Sequence, residues 1–133
     1  MKLFSEKVNY GIAAMFELAK HHASGYLQAQ QIAEAQAIPK NYLIQLLITL
    51  KKAGFVDSIR GASGGYYLAK QPRQISILDV IEVLEGPVSF LGSSQENDTL
   101  TFFWKQVEES FKTLLRISLE DLVNRNQGIS FDI

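Results

Sequence analysis

Between Gln28 and Lys70 the chain alternates helix-forming runs with turn residues in an order that few folds accommodate. Gln31-Ile32-Ala33 starts an apolar-periodic segment, and Ala37-Ile38-Pro39 interrupts it. A second helical run, Lys40 to Lys52, follows at once and stops at Gly54. Phe55 to Arg60 and Tyr66 to Lys70 then flank Arg60-Gly61-Ala62-Ser63-Gly64-Gly65, which reads as a two-stranded hairpin with a glycine-rich tip. Helix, tight turn, helix and hairpin in succession is the outline of a winged helix–turn–helix.

The residue spacing fills in that outline. Ser5 to His22 reads as a first helix, with Val8, Ile12, Met15, Phe16 and Ala19 recurring at helical spacing and Ser5 placed to cap it. Gly11 inside it costs roughly 1 kcal/mol against alanine, which points to a neighbouring backbone packed close. Tyr26-Leu27 is a short extended link. Ala29 to Gln36 forms the second helix, and its small residues Ala29, Ala33 and Ala35, with Ala37 after it, permit a close approach to the third. Pro39 suits the first position of that third helix, where its missing N–H costs nothing. Leu43, Leu46, Leu47 and Leu50 form its buried stripe and leave Lys40, Asn41, Gln45, Thr49 and Lys52 outside.

Those outer residues have the chemistry of base readout. Asn and Gln make bidentate bonds to adenine in the major groove, and Lys reaches guanine or a phosphate. The plain alternative is an ordinary polar helix face. In the hairpin, Gly61, Gly64 and Gly65 are expected to allow positive φ and to keep side chains out of the way of a duplex, with Arg60 at the base of the tip. The tip lacks the Gly-Lys-Ser/Thr ending of a nucleotide-phosphate loop and does not run into a helix.

Net charge is −1, which by itself argues against nucleic acid. The distribution argues for it. Residues 1–73 hold nine Lys/Arg against four Asp/Glu, a net of +5, and residues 74–133 hold four against ten, a net of −6. With 133 residues and 47% hydrophobic residues, one domain with an appended dimerisation element is expected. The chain has no cysteine, so it forms no disulfide, cysteine nucleophile or thiolate-held metal site. No apolar run is long enough to span a membrane. The apolar stretch after Lys2 is broken by Glu6, Lys7, Glu17 and Lys20, so no leader is expected and the chain is assigned to the cytoplasm.

Behind the hairpin, Gln71-Pro72-Arg73 reads as a linker. Ser76-Ile77-Leu78-Asp79 has the spacing of a capping box and opens a short helix ending at Gly86-Pro87. Gly92 to Asp98 is a polar loop. Thr99 to about Ile117 is the last long helix, with an apolar stripe of Leu100, Phe103, Trp104, Val107, Phe111, Leu114 and Leu115. Nothing else in so short a chain is able to cover that stripe, which points to a second copy. Ser118 to Asp121 restarts a brief helical turn by the same capping device, and Gly128 to Ile133 alternates apolar and polar residues as a strand, a segment lying across the partner, or a frayed end.

One run of residues carries a specific resemblance. Ile38-Pro39-Lys40-Asn41-Tyr42-Leu43, Leu46, Leu50-Lys51-Lys52-Ala53-Gly54-Phe55-Val56 and Ser58-Ile59-Arg60-Gly61-Ala62-Ser63-Gly64-Gly65-Tyr66 resemble the Rrf2 family of bacterial repressors, the IscR-, NsrR- and CymR-type winged-helix regulators. The match continues through Ile75, Asp79-Val80-Ile81 and Glu85-Gly86. The resemblance implies that Asn41 and Tyr42 touch DNA, that Arg60 enters the minor groove, and that the last long helix dimerises. Many members carry an acidic residue where this chain has Ile44, so its operator preference is its own. Cluster-binding members carry three cysteines in the region of the polar loop. Here there are none, so this is a cysteine-free member with no cysteine-ligated iron–sulfur cluster and no expected cofactor.

An enzyme is not expected. His21 and His22 point about 100° apart on a helix and have no nucleophile near them. The expected fold is mainly α with a small β-hairpin: a winged helix–turn–helix over residues 1–73, then a linker helix, a long dimerisation helix and a tail over 74–133. The expected function is sequence-specific binding of double-stranded DNA by a homodimeric repressor, with helix 39–52 in the major groove and wing 60–65 in the adjacent minor groove. Lys40, Asn41, Tyr42, Gln45, Arg60, Gly61, Ser63 and Gly64 are the expected DNA contacts, and Leu100, Phe103, Trp104, Val107, Phe111 and Leu114 the dimer contacts. An unidentified small-molecule or protein effector would act by changing the spacing of the two readout helices. The alternative is a sensor of the same fold with weak or lost DNA binding, using Phe90, Phe102, Phe103 and Trp104 to line a ligand pocket.

Overall fold

A computed structural model describes residues 1–91 and 98–128; the expected polar loop, apart from Asp98, and the alternating tail beyond Gly128 lie outside the described residues. Helix α1 spans Glu6–Lys20, α2 Ala29–Gln36, α3 Lys40–Lys52, α4 Ile77–Glu85, α5 Thr99–Leu115 and α6 Leu119–Gly128. Strands β1 (Val56–Ile59) and β2 (Gly65–Leu68) pair antiparallel, with Val56 opposite Leu68 and Ile59 opposite Gly65. The fold is mainly α with a small hairpin, as the sequence predicts.

Ser5 does not cap α1 with its side chain. Its hydroxyl donates instead to the carboxylate of Glu85, which ties the start of α1 to the end of α4. Gly11 faces the same neighbour. A Cβ there would lie 2.2 Å from Leu84 Cδ1, so the close contact is a side chain rather than the expected backbone. A 3₁₀ turn, His22–Ser24, follows α1. Glu17 is buried in α1, and desolvation alone would raise its pKa. The Gln36 amide at 2.8 Å, Lys20 at 3.3 Å and His21 more than offset that, so its carboxyl sits below the usual value. His21, at the end of α1, partners Glu17, with Nε2 at 3.2 Å.

The turn between α2 and α3 is made without glycine. Ala37 takes φ 54° and ψ 48°, and its N–H and that of Ile38 both reach Ala33 O. A left-handed alanine costs roughly 1–2 kcal/mol that glycine does not pay. Ala37→Gly should therefore raise stability by about 0.5–1 kcal/mol after the added unfolded-state entropy is set against the relief. A thermal melt that shows no rise would remove the assigned strain.

Pro39 caps α3 rather than opening it. Its φ of −57° with ψ 127° is outside the helix, and its carbonyl accepts from Leu43 N–H at 2.9 Å. Leu43, Leu46, Leu47 and Leu50 are all buried, as the spacing requires. Gly54, at φ 85°, ends α3, and Phe55 N–H reaches back to Leu50 O at 3.1 Å. The link Tyr26-Leu27 adds an outer bridge to the hairpin, since Leu27 and Tyr66 exchange both backbone hydrogen bonds at 2.9 and 2.7 Å.

The expected linker 71–73 begins a 3₁₀ turn, Pro72–Gln74. Both predicted capping boxes form, Ser76 with Asp79 and Ser118 with Asp121, each bond at 3.0 Å. They stand side by side: Ile77 N–H donates to Ile117 O and Leu119 N–H to Ile75 O, both at 2.9 Å. That join holds α6 against α1 and seats Leu119 in the same core as Ile75, Ile81 and Leu84. It also explains why α6 is ten residues long and not a brief turn. Among the described residues no helix is long and apolar enough to cross a membrane.

Candidate nucleic-acid interface

The leucines that bury one side of α3 fix what the opposite side presents. Asn41, Gln45, Ile48 and Lys52 fall at i, i+4, i+7 and i+11, so they share the side directly away from the core, and all four are exposed. Tyr42 and Thr49 flank that line on the side of α1. Tyr42 is half-buried, with its ring edge-on to Tyr10 at 5.5 Å. Lys40 and Lys51 flank it on the side of the hairpin. Lys51 is committed there, its ammonium 2.7 Å from Ser58 Oγ and 3.8 Å from Asp57. Among the described residues Lys40 and Lys52 have no such tie, and both are exposed.

The hairpin tip stands beside this face. Lys40 of α3 lines one groove with Arg60 and Gly61 of the tip and Gln28 at the start of α2. Arg60, Gly61, Ala62 and Ser63 are exposed. The loop is held from beneath: Tyr26 Oη donates to Ser63 O at 2.6 Å, and Gln28 Nε2 donates to Ala62 O at 3.3 Å. Nothing in the sequence pattern marks Tyr26 or Gln28 for this task, because their partners lie more than thirty residues away.

The glycines act differently from the expectation. Only Gly61 of the three has positive φ, at 109°. Gly64 and Gly65 are buried and are required by contact. A Cβ on Gly64 would sit 1.9 Å from Ile59 O, and one on Gly65 would sit 2.5 Å from Leu27 O. Both pass flush against neighbouring backbone, so they set the shape of the wing rather than clear its surface.

The stripe on α5 is open to an unusual degree. Leu100 is 68% exposed, Leu114 73%, Phe103 49% and Trp104 42%, with Val107 and Phe111 half-buried. The side that α5 turns to its own chain is mixed: Leu115, expected in the open stripe, packs on the chain's own core, and its neighbours there are polar. Thr101 is buried, and Glu108 and Lys112, 3.5 Å apart, are half-buried. Glu108 accepts the Phe90 N–H at 3.0 Å, which holds its carboxyl below the usual range despite some desolvation. Phe111 packs its ring on Phe4 at 6.1 Å and Phe90 at 5.2 Å, whereas Phe103 and Trp104 stand edge-on to each other at 5.1 Å. Phe90 therefore joins Phe4 and Phe111 in a groove at the end of α4, whereas Phe102, Phe103 and Trp104 lie outside it and are exposed.

This fold recurs in known proteins. The sequence matches the family described as Rrf2, iron-dependent transcriptional regulator, over residues 4–125. The chain belongs to the Rrf2 family. It is 38% identical over 126 residues to the HTH-type transcriptional regulator CymR of Bacillus subtilis, covering 93% of this chain and 91% of that relative. It is 34% identical over 135 residues to IscR of Photorhabdus laumondii, covering 96% of this chain and 82% of that relative. The solved structure of B. subtilis CymR, described as a global cysteine regulator, superposes with a TM-score of 0.86 over 94% of this chain and 98% of that one. That of T. potens IscR superposes with a TM-score of 0.84 at 38% identity, over 100% of this chain and 93% of that one. This Rrf2 protein is a transcriptional regulator, not an enzyme.

The family description raises iron, and the donor set does not fit a thiolate-held cluster. The chain contains no cysteine, and the described residues bring no three His, Asp or Glu side chains together.

Proposed function

We propose that this Rrf2 protein is a cytoplasmic, homodimeric repressor that binds a specific DNA operator. The observation that carries the proposal is the common face of α3 and the wing, where Asn41, Gln45 and Lys52 point away from the core beside Lys40 and Arg60. In this reading α3 enters the major groove, Asn41 and Gln45 bond base edges, and Tyr42 contacts the backbone alongside. Arg60 reaches the adjacent minor groove, with Gly61 and Ser63 passing close to phosphate. Gly64 contributes by shaping the loop. Lys40, Lys52 and Arg60 displace counterions and supply much of the affinity. Residues 1–73 carry this face, and residues 74–133 carry pairing: two α5 helices bury Leu100, Phe103, Trp104, Val107 and Leu114 against each other, with Phe111 at the edge. No cysteine-ligated cluster takes part. An operator-bound dimer represses by occupying the promoter.

A second reading concerns the effector. The groove between residues 2–5, the end of α4 and Phe111 is about 550 Å³, large enough for a small molecule. A ligand there would touch both the winged-helix body and α5, and so change the spacing between the two α3 helices.

Arg60→Ala should weaken operator binding by about 1–3 kcal/mol and leave the fold intact, because its side chain is exposed and its φ is not positive. A gel-shift titration on an operator selected from random duplexes measures this. Wild-type affinity in the variant would remove the wing from the proposed interface.

A further inference from the structure

The outward line of α3 contains one residue whose chemistry differs from that of its neighbours. Ile48 is 42% exposed, between the exposed Gln45 and Lys52 on the side opposite the buried leucines. Ile44, four residues earlier, is half-buried on the flank nearer the hairpin. Isoleucine at an exposed helix position gains little from packing and is a poorer helix former than alanine, lysine or glutamine. Local stability therefore gives no reason for it. The core does not claim it either, since Leu47 and Leu50 on either side fill the buried stripe.

The surface it belongs to does give a reason. A major groove offers polar edges at every base pair and one apolar feature, the 5-methyl group of thymine. Amide side chains at Asn41 and Gln45 suit adenine, and each adenine they read pairs with a thymine whose methyl projects into the same groove. A branched aliphatic side chain one turn further along α3 is placed to cover such a methyl and exclude water from it. We infer that Ile48 is a specificity-determining residue that reads a thymine 5-methyl group in each half-site, with Ile44 backing it. The inference rests on the proposed operator binding and deepens it by naming a base feature.

Deoxyuridine differs from thymidine in the base by that methyl alone, which makes the test direct. Operators are enriched from a random duplex pool with the purified full chain, and each thymine of the consensus is replaced singly by deoxyuridine. For the wild type, one symmetry-related pair of positions should lose about four-fold in affinity per half-site, the value of one buried methyl group. In Ile48→Ala that loss should vanish at that position. In Asn41→Ala it should persist. Ile48→Ala removes exposed atoms and improves helix propensity, and an unchanged melting temperature confirms that the fold is kept. No deoxyuridine effect on an enriched operator, or the same effect in wild type and Ile48→Ala, overturns the inference and leaves operator binding standing. No enriched sequence at all overturns operator binding and the inference with it.

Discussion

Val107→Glu should convert the proposed dimer into a folded monomer and lower operator affinity by at least about 100-fold, the usual scale of lost bivalency. Val107 lies mid-way along the open stripe of α5, one turn from Phe103 and from Phe111. In the proposed dimer its side chain meets the partner's apolar stripe, and a carboxylate there would be desolvated without a hydrogen-bond partner, a cost of several kcal/mol. In the single chain the same position is half-exposed and only Thr101 of α5 is buried, so the substitution leaves the monomer's core untouched. Light scattering should report one chain, and circular dichroism a wild-type helix signal. Val107 is a cleaner probe than Phe111, whose ring also packs on Phe4 and Phe90 within the chain. A Val107→Glu protein that remains a dimer would move the interface elsewhere.

Gly64→Ala should destabilise the protein by about 1–3 kcal/mol and reduce operator binding at least about ten-fold, although residue 64 offers no side chain to DNA. The added methyl would stand 1.9 Å from Ile59 O and 2.8 Å from Ile59 C, both backbone atoms of the strand end across the loop. Neither can rotate aside, so the loop must open, and the Gly64 N–H to Gly61 O bond at 3.0 Å must stretch with it. Opening displaces Arg60 and pulls Ser63 O from the Tyr26 hydroxyl. Gly61→Ala is the control. It meets nothing within 4 Å but carries φ 109°, so its cost is conformational rather than steric. A Gly64→Ala variant with wild-type melting and wild-type binding would show that the loop is soft and that its close packing is not what positions the wing.

The helix–turn–helix was legible because its determinants are local. Four leucines at helical spacing, Pro39 before α3 and Gly54 after it suffice to bound α3, and the structure moves Pro39 by a single position. The capping boxes at Ser76 and Ser118 were legible for the same reason, since each closes within four residues. What escaped depends on partners distant in sequence. Ser5 looks like a cap, but its hydroxyl goes to Glu85. Gly11 reads as packed against a backbone and Gly64 as a flexible point, but the first accommodates the Leu84 side chain and the second the carbonyl of Ile59. The length of α6 was missed because its exposed residues are polar and its few apolar ones, Leu119, Leu122 and Val123, find their core only through the join to α4.

The shared exposed face of Asn41 and Gln45 was legible from type and spacing, since amides at consecutive turns of one helix are recognisable in a string of letters. Ile48 was overlooked because an isoleucine in a leucine-rich helix reads as core. Counting from Asn41 by four, three and four residues places it among the exposed ones. The bracing of the wing by Tyr26 and Gln28 had no local pattern to reveal it, since the contacts join segments more than thirty residues apart in sequence.

Dimethyl sulfate footprinting, which reports guanine N7 in the major groove and adenine N3 in the minor groove, on an operator enriched from random duplexes tests the central claim most directly. The account predicts two symmetry-related sets of protection, each pairing a major-groove face with the minor groove beside it, and two chains per duplex at saturation. A single unpaired footprint, or protection on one groove without the other, would contradict it.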